Sequence, residues 1–338
     1  MNVYYIGIFV IVAFIIWLLS HDTGTSKPIV RNNSRVNVFR KNRLVNRLRK
    51  LSNSPLENMK ISYIDIDLPR DVSPPPFFIY NPLYLTPVQN QGICGSCWAF
   101  IVCEMLANRI AVKTQGAFRS NLSSQEILEC YTFTPACMGG NPEDVLVWLE
   151  NTGKRLVTNH EYPYKQFNSM IFDNDSCRQF SSGVNVLPGS VKRITNITHD
   201  NPVILAENIR NMKSELVVNG PFFSSFEIYD DFLDWDGSGV YTPSDDSVRV
   251  GGHAVLVVGY SERGEDKTLG GTPYWLCKNI WGTEWASSSG IPGYFRILMG
   301  ENSASIEMRC ERAIPDFDMS LVKKSPLNIE KAGPLIFY

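Results

Sequence analysis

Three stretches of the chain carry a pattern of apolar and polar positions that predicts a defined element. Residues 3–19 are uncharged and rich in Ile, Val, Phe and Leu, and they approach the minimum length of a membrane-spanning helix. The continuous apolar run 254–258 predicts a buried strand with His253 at its head. The stretch after Cys97 predicts a helix with one buried face, because apolar residues recur at three- and four-residue spacing: Ile101, Met105, Leu106, Ile110 and Val112.

Cys97 lies where the predicted helix begins, just after two glycines that allow a tight loop. Unpaired backbone N–H groups and the positive end of the helix dipole favour a thiolate at such a position. Gln91, six residues upstream, is placed to stabilise an oxyanion with its amide. The alternative is a structural pair of Cys94 and Cys97, as a disulfide or half of a zinc site, but such a pair needs neither Trp98 nor Phe100.

The chain contains four histidines, and His253 differs from the others in its surroundings. It follows a glycine pair and precedes the apolar run, whereas His21, His160 and His199 lie in polar segments. His253 is therefore the candidate base.

These segments resemble the papain and cathepsin family of cysteine proteases. Segment 91–100, QGICGSCWAF, resembles the family's motif around its nucleophile. Segment 273–285 resembles the family's block in which an asparagine orients the histidine. The resemblance implies a nucleophile at Cys97, a base at His253, an orienting amide at Asn279, an oxyanion donor at Gln91 and a cover over the histidine at Trp281.

The implied fold is the α+β, papain-like two-domain fold with the cleft between its halves. The helical half would hold Cys97, and an antiparallel, barrel-like half would hold His253 and Asn279. The implied function is a cysteine-type endopeptidase that acts on protein or peptide substrates through a Cys-His-Asn triad and a covalent acyl-enzyme, with no metal or organic cofactor. Two alternatives stay open: an inactive, membrane-tethered scaffold for protein binding, and a thiol acyltransferase. Nothing in the sequence indicates a nucleic-acid partner, and the oligomeric state is not predicted.

Further blocks bear on the subgroup and on substrate binding. The stretch 219–241 resembles cathepsin B, but the paired histidines that cap the cleft of that enzyme have no counterpart, so we expect an open cleft. Gly139 and Gly140 resemble the family's cleft wall, against which a substrate strand lies and where side chains would block that strand; a plain turn is the alternative. Arg309 aligns with the floor of the second specificity pocket, where it would disfavour basic substrate side chains; a solvated surface role is the alternative.

The eight cysteines cannot be paired from their spacing. The resemblance implies that Cys94 pairs with Cys137 and Cys130 with Cys177. It leaves Cys103, Cys277 and Cys310 without assigned partners, and Ala304 stands where the family often has another bridging cysteine.

The sequence departs from the family pattern beside the orienting asparagine and after the second tryptophan of that block. Ile280 replaces the usual serine, and Ala286 replaces the usual glycine. Neither change removes a catalytic atom, so we expect an effect on the level of activity rather than on the mechanism.

The predicted domain organisation is a membrane segment at 1–20, a basic linker or propeptide at 21–67, the protease domain at 68–317 and a tail at 318–338. The apolar run favours a signal anchor over a cleaved signal, which predicts a single-pass membrane protein attached through residues 3–19. Segment 27–50 holds nine Lys and Arg and no Asp or Glu, which typifies a solvated linker; docking on the acidic catalytic domain or on anionic lipid is the alternative. These charges favour a cytosolic catalytic domain, whereas disulfides favour a lumenal one, so the side of the membrane stays open.

Overall fold

A computed structural model describes residues 73–168, 177–197, 201–318 and 321–322. The predicted membrane segment, the basic linker or propeptide and most of the predicted tail lie outside these residues. Within the described ranges, no helix is long and apolar enough to cross a membrane.

Five α-helices occur in the described residues, and the first of them carries the candidate nucleophile. Helix α1 was expected to bury one face, but 14 of its 17 residues are buried. The reason is that α1 packs against two other helices, α2 and α3, and also against the sheet. The helices are α1 Cys97–Lys113, α2 Ser124–Cys130, α3 Pro142–Thr152, α4 Pro202–Val218 and the short α5 Asp230–Leu233.

The ends of α3 follow from local sequence. The side chain of Asn141 accepts a hydrogen bond from the backbone N–H of Glu143, and Pro142 occupies the first helical position, where its missing N–H costs nothing. Gly153 ends the helix in the left-handed conformation, with φ 67°. Because α3 starts directly after Gly140, these caps fix the position of the predicted cleft wall.

A sheet of seven strands forms the second half. Its strands are β1 Phe77–Ile79, β3 Lys192–Arg193, β4 Phe222–Tyr229, β5 Arg249–Ser261, β6 Tyr274–Lys278, β7 Tyr294–Leu298 and β8 Cys310–Arg312. The order is β3-β8-β4-β5-β6-β7, and β1 pairs with the far end of β5. All of these pairings are antiparallel. A separate pair joins β2 Val184–Val186 to β9 Pro315–Phe317.

The prediction of a barrel-like half is corrected by this strand order. In the described residues β3 and β7 are opposite edges of the sheet and do not pair with each other, so the sheet does not close. The α+β class with helices and an antiparallel sheet is confirmed, whereas the closed barrel is wrong.

Strand β5 is longer than the apolar run predicted. It begins at Arg249, so His253 lies inside the strand rather than at its head. The glycine pair before the histidine is part of the ladder, with Gly251 opposite Ile228 and Gly252 opposite Glu227. The pairing with β4 therefore includes His253 itself, which is opposite Phe226.

Two buried ion pairs join α1 to the other half. Lys278 Nζ lies 2.6 Å from Glu104 Oε2, and both side chains have no exposed surface. Arg109 Nη2 lies 2.6 Å from Glu215 Oε1 and is almost as deeply buried. Removing one member of such a pair leaves an uncompensated charge. The first pair therefore opposes any shift between α1 and the strand that precedes Asn279, and the second opposes any shift between α1 and α4.

Candidate active site

Cys97 is the first residue of α1, as the sequence predicted, and its side chain is partly exposed. The preceding Ser96 makes no side-chain cap, and no acidic residue stands in the first turn. The backbone N–H groups of Cys97, Trp98 and Ala254 favour the thiolate, but burial outweighs them and raises the pKa of the Cys97 thiol to about 11. Ala254, one of these donors, follows His253 in β5.

The loop ahead of the helix is held by a disulfide between Cys94 and Cys137. The N–H of Gly95 donates to the carbonyl of Cys137 at 2.9 Å, so the loop and the predicted cleft wall are joined twice. Gln91 Nε2 donates to the carbonyl of Cys94 at 2.7 Å. An amide nitrogen carries two protons, and this bond uses one of them.

His253 and Asn279 meet across β5 and the end of β6. His253 Nε2 lies 2.8 Å from Asn279 Oδ1, which also accepts a hydrogen bond from the N–H of Ile280 at 2.8 Å. Because the N–H of Ile280 identifies this atom as the amide oxygen, Nε2 of His253 must carry the proton in that bond. Nδ1 is then the basic nitrogen of the neutral ring.

The ring of His253 is enclosed by aromatic side chains. Trp281 stacks on it with ring centroids 4.6 Å apart, and Phe226 from β4 lies 5.9 Å away. His253 is only 5% exposed and Trp281 only 6%, so the hydrogen bond to Asn279 is shielded from water. Burial lowers the pKa of His253 to about 4, while its bond to Asn279 acts in the opposite direction.

The two glycines of the predicted wall differ in what a side chain would meet. At Gly140 a Cβ atom would lie 2.5 Å from the ring of Trp98, so packing alone excludes a side chain there. At Gly139 a Cβ atom would meet no protein atom within 4 Å, and the backbone has φ 101°. The expected reason, free access for a substrate strand, therefore fits Gly139 and not Gly140.

Arg309 lies one strand away from the residue that follows His253. Its carbonyl accepts a hydrogen bond from the N–H of Ser225 at 2.9 Å, and Ser225 is opposite Ala254 in the sheet. The Arg309 side chain is exposed. Proximity to the site and exposure agree with both sequence readings, a pocket residue and a surface residue.

The second disulfide joins Cys130 to Cys177 and does not involve the loop that precedes Cys97. Cys97, Cys103, Cys277 and Cys310 are free, and the last three are buried. The structure therefore forms both bridges that the resemblance implied.

Some residues that support the site carry no signal in the sequence alone. Tyr164 reaches the backbone of Gln91, and Lys278 reaches the helix of Cys97 from the position before Asn279. The N–H of Gln91 donates to the carbonyl of Ile280 at 3.0 Å. All of these are contacts between distant segments, and neither periodicity nor a short motif records such contacts.

Comparisons with known proteins agree on one family. A family model described as the papain family cysteine protease matches residues 80–314. Cathepsin B-like cysteine proteinase 5 of Caenorhabditis elegans is 30% identical over 261 residues, which cover 70% of this chain and 72% of that protein. Cathepsin O of Mus musculus is 32% identical over 226 residues, which cover 66% of this chain and 62% of that protein.

Two solved structures share the fold. Procathepsin B S9 from Trypanosoma congolense superposes with a TM-score of 0.62 at 21% identity, covering 90% of this chain and 98% of that chain. Digestive procathepsin L 3 of Tenebrio molitor larval midgut gives 0.56 at 19% identity, covering 91% and 90%.

The prediction of a single-pass membrane location is corrected by these findings. The matched relatives and structures are cathepsins, procathepsins and cathepsin B-like proteinases, and none is named as a membrane protein. The described ranges also contain no helix fit to span a bilayer. The apolar run 3–19 on which the prediction rested lies outside the described residues.

Proposed function

This chain belongs to the papain family of cysteine proteases, and from that premise we propose that it hydrolyses peptide bonds through Cys97, His253 and Asn279. One observation supports the triad most strongly: Asn279 Oδ1 accepts from both His253 Nε2 and the N–H of Ile280, which leaves Nδ1 of His253 as the base. The sulfur of Cys97 lies against the next residue of the same strand, Ala254.

The reaction needs an ion pair, and two local features favour it. Burial alone keeps both groups neutral, because it raises the pKa of Cys97 to about 11 and lowers that of His253 to about 4. Transfer of the thiol proton to Nδ1 places opposite charges side by side, and their attraction offsets the cost of burial. The N-terminus of α1 adds its positive potential on the sulfur.

The bond changes follow from this pair. The thiolate attacks the peptide carbonyl carbon, and the negative charge on the carbonyl oxygen is stabilised by Gln91 Nε2 and the N–H of Cys97. His253 then gives its proton to the leaving amine as the C–N bond breaks, which leaves an acyl group on sulfur. A water that loses a proton to His253 attacks this acyl group, and the C–S bond breaks to release the acid and restore the thiol.

Substrate would lie extended along the cleft. Gly139 offers open space for a substrate strand, and Gly140 keeps the wall close to Trp98. Trp281 covers His253 and would also line the side of the cleft from which the leaving amine departs. Arg309 would act at the second specificity pocket against basic side chains. His160 and His253 are the only histidines in the described residues, which supports an open cleft and endopeptidase action.

The proposed protease domain is 68–317, preceded by a linker or propeptide at 21–67 and followed by a tail at 318–338. Support comes from the family match at 80–314 and from the similarity to procathepsin structures. N-terminal sequencing of the active form tests this division, and we expect the new N-terminus close to Leu68. An active form that begins well inside the family match would contradict it.

A set of substitutions tests the mechanism. Cys97→Ala and His253→Ala are expected to reduce kcat on a fluorogenic peptide by about 10⁴-fold or more, because each removes a reacting group. Asn279→Ala is expected to reduce kcat less, since the base remains. Cys103→Ala, another free cysteine of the same helix, is the control and should retain activity. Hydrolysis by folded Cys97→Ala at the rate of the parent would contradict the proposal.

A further inference from the structure

A short segment, residues 164–167, packs against the loop that precedes Cys97. The N–H of Ile93 donates to the carbonyl of Phe167 at 3.0 Å. A Cβ atom at Gly92 would lie 2.1 Å from the same carbonyl oxygen, so the loop tolerates no side chain at this position. The segment 164–167 therefore braces the loop between Gln91 and Cys97.

Tyr164 makes the most direct contact of this brace. Its hydroxyl donates to the carbonyl of Gln91 at 2.6 Å and lies 3.1 Å from the hydroxyl of Ser96. A phenol has one proton. Because that proton is donated to the carbonyl of Gln91, the Tyr164 oxygen accepts the hydrogen bond from the Ser96 hydroxyl. One hydroxyl thus joins the residue with the candidate oxyanion amide to the residue before the nucleophile.

The ring of Tyr164 is held by packing and not by the hydroxyl alone. It meets Phe100 of α1 edge to face, with centroids 4.7 Å apart. The backbone N–H of Tyr164 donates to Asn159 Oδ1 at 3.2 Å. Replacing the tyrosine by phenylalanine would therefore keep the ring in place and remove only its hydrogen bonds.

Gln91 is held at three points, and Tyr164 provides one of them. The N–H of Gln91 donates to Ile280 across the cleft, and Nε2 donates to Cys94. The carbonyl is held by Tyr164. Loss of this third contact would let the peptide plane after Gln91 turn. The side-chain amide of Gln91 would then shift away from the position that it needs to stabilise the oxyanion.

We propose that Tyr164 is a positioning residue that sets the side-chain amide of Gln91 for the tetrahedral oxyanion. The inference rests on the proposed function and adds a residue to it. Tyr164 acts through Gln91 and touches neither the substrate nor the reacting sulfur. Its effect belongs to the acylation transition state, where the oxyanion forms, and not to the intrinsic reactivity of the thiol.

The test compares two reactions of the same enzyme. Hydrolysis of a peptide amide forms an oxyanion, whereas alkylation of Cys97 by iodoacetamide displaces iodide and forms none. The variants are Tyr164→Phe, Gln91→Ala and the double variant. The matched control is Tyr260→Phe, which removes a hydroxyl that donates to the carbonyl of Pro75 at 2.6 Å on another part of the sheet.

Tyr164→Phe is expected to lower kcat about tenfold, with KM nearly unchanged, because a small displacement of an oxyanion donor weakens mainly the transition state. Its rate of alkylation should equal that of the parent. Gln91→Ala should lose about a hundredfold in kcat, and adding Tyr164→Phe should then cost little more, because the positioned group is gone. Tyr260→Phe should retain kcat.

Three results would overturn the inference. These are an unchanged kcat in Tyr164→Phe, alkylation that is slowed as much as hydrolysis, and an effect on kcat that multiplies in full with that of Gln91→Ala. Failure of the proposed function itself is distinguishable, because fully alkylated parent enzyme would then still hydrolyse the peptide.

Discussion

At the scale of single residues, the backbone of Ile280 determines which nitrogen of His253 carries the proton, and hence which nitrogen is the base in the proposed mechanism. The resemblance named His253 and Asn279, but it could not predict the tautomer, because that depends on the N–H of a residue whose side chain departs from the family. Ile280 has no exposed surface, and its side chain packs in the core while its N–H holds Asn279 Oδ1. The serine usual at this position is therefore not needed for the hydrogen bond.

This division of roles predicts the effect of restoring the family residue. Ile280→Ser is expected to lower the free energy of unfolding by about 2 to 5 kcal/mol, because it removes a buried apolar side chain and buries a hydroxyl. The kcat should stay close to that of the parent, since the backbone donor remains; this replaces the sequence-based expectation that Ile280 alters the level of activity. Urea unfolding and peptide hydrolysis measure the two effects; a variant as stable as the parent but much more active would contradict the account.

The titration of the catalytic pair gives a second prediction at this scale. The neutral pair and the ion pair hold the same number of protons, so pH does not interconvert them. Activity falls when the pair gains a proton, and burial places that step at the lowered pKa of His253, about 4. Activity falls again at high pH, when the pair loses a proton near the raised pKa of Cys97, about 11.

The dependence of kcat/KM on pH is therefore expected to be flat across neutral pH, with its acid limb near 4. Stopped assays with a peptide that has no ionisable side chain provide the measurement. An acid limb near 6.5, the ordinary pKa of a histidine, would show that His253 titrates as an exposed imidazole and would contradict the burial argument.

At the scale of elements, the start of α1 was predictable and its surroundings were not. Glycines followed by an apolar repeat indicate where a helix begins, because those signals are local. The extensive burial of α1 depends on its contacts with α2, α3 and β5. The length of β5 was underestimated for a similar reason, because the pairing of its glycines with β4 compensates for their weak strand preference.

The ion pair between Glu104 and Lys278 gives a prediction for the contact between α1 and β6. Lys278→Met leaves the carboxylate of Glu104 buried without its counter-charge and should lower the free energy of unfolding by about 3 to 5 kcal/mol. Glu104→Gln combined with Lys278→Met should recover most of that loss, because the amide oxygen still accepts from Gln89 Nε2, which lies 2.9 Å from Glu104.

The matched control is Lys213→Met, whose partner Glu262 is partly exposed. That change should cost less than about 1 kcal/mol, because water screens an exposed pair. Chemical denaturation of the four proteins is the measurement. Equal losses for Lys278→Met and the double variant would contradict a role for the uncompensated charge.

At the scale of the whole molecule, the prediction of a papain-family protease with cathepsin B-like relatives is confirmed. Motifs around Cys97, His253 and Asn279 were sufficient because residues that perform chemistry tolerate few alternatives. The closed barrel was wrong because edge pairing depends on strand twist and on loops, which leave no short motif. The domain boundaries stay predictions, since residues before 73 lie outside the described ranges.

The two disulfides are predicted to differ in what they support. Each closes a loop of similar length, with sequence separations of 43 and 47, so replacing either pair by serine should lower stability by about 2 to 4 kcal/mol. Only the pair Cys94 and Cys137 joins the catalytic loop to the wall. Its removal should also lower kcat, whereas removal of Cys130 and Cys177 should not.

Thermal unfolding and peptide hydrolysis, measured below both unfolding transitions, compare the two double variants. Loss of activity confined to the variant without Cys130 and Cys177 would contradict the assignment.

The central claim is that the sulfur of Cys97 forms a covalent bond with the acyl part of the substrate. Rapid acid quenching during turnover of an activated peptide ester, followed by mass spectrometry of the digested protein, measures this directly. The account predicts the acyl mass on Cys97 alone, and none in His253→Ala quenched at the same time. Steady turnover with no acyl mass on Cys97, or with that mass on another residue, would contradict it.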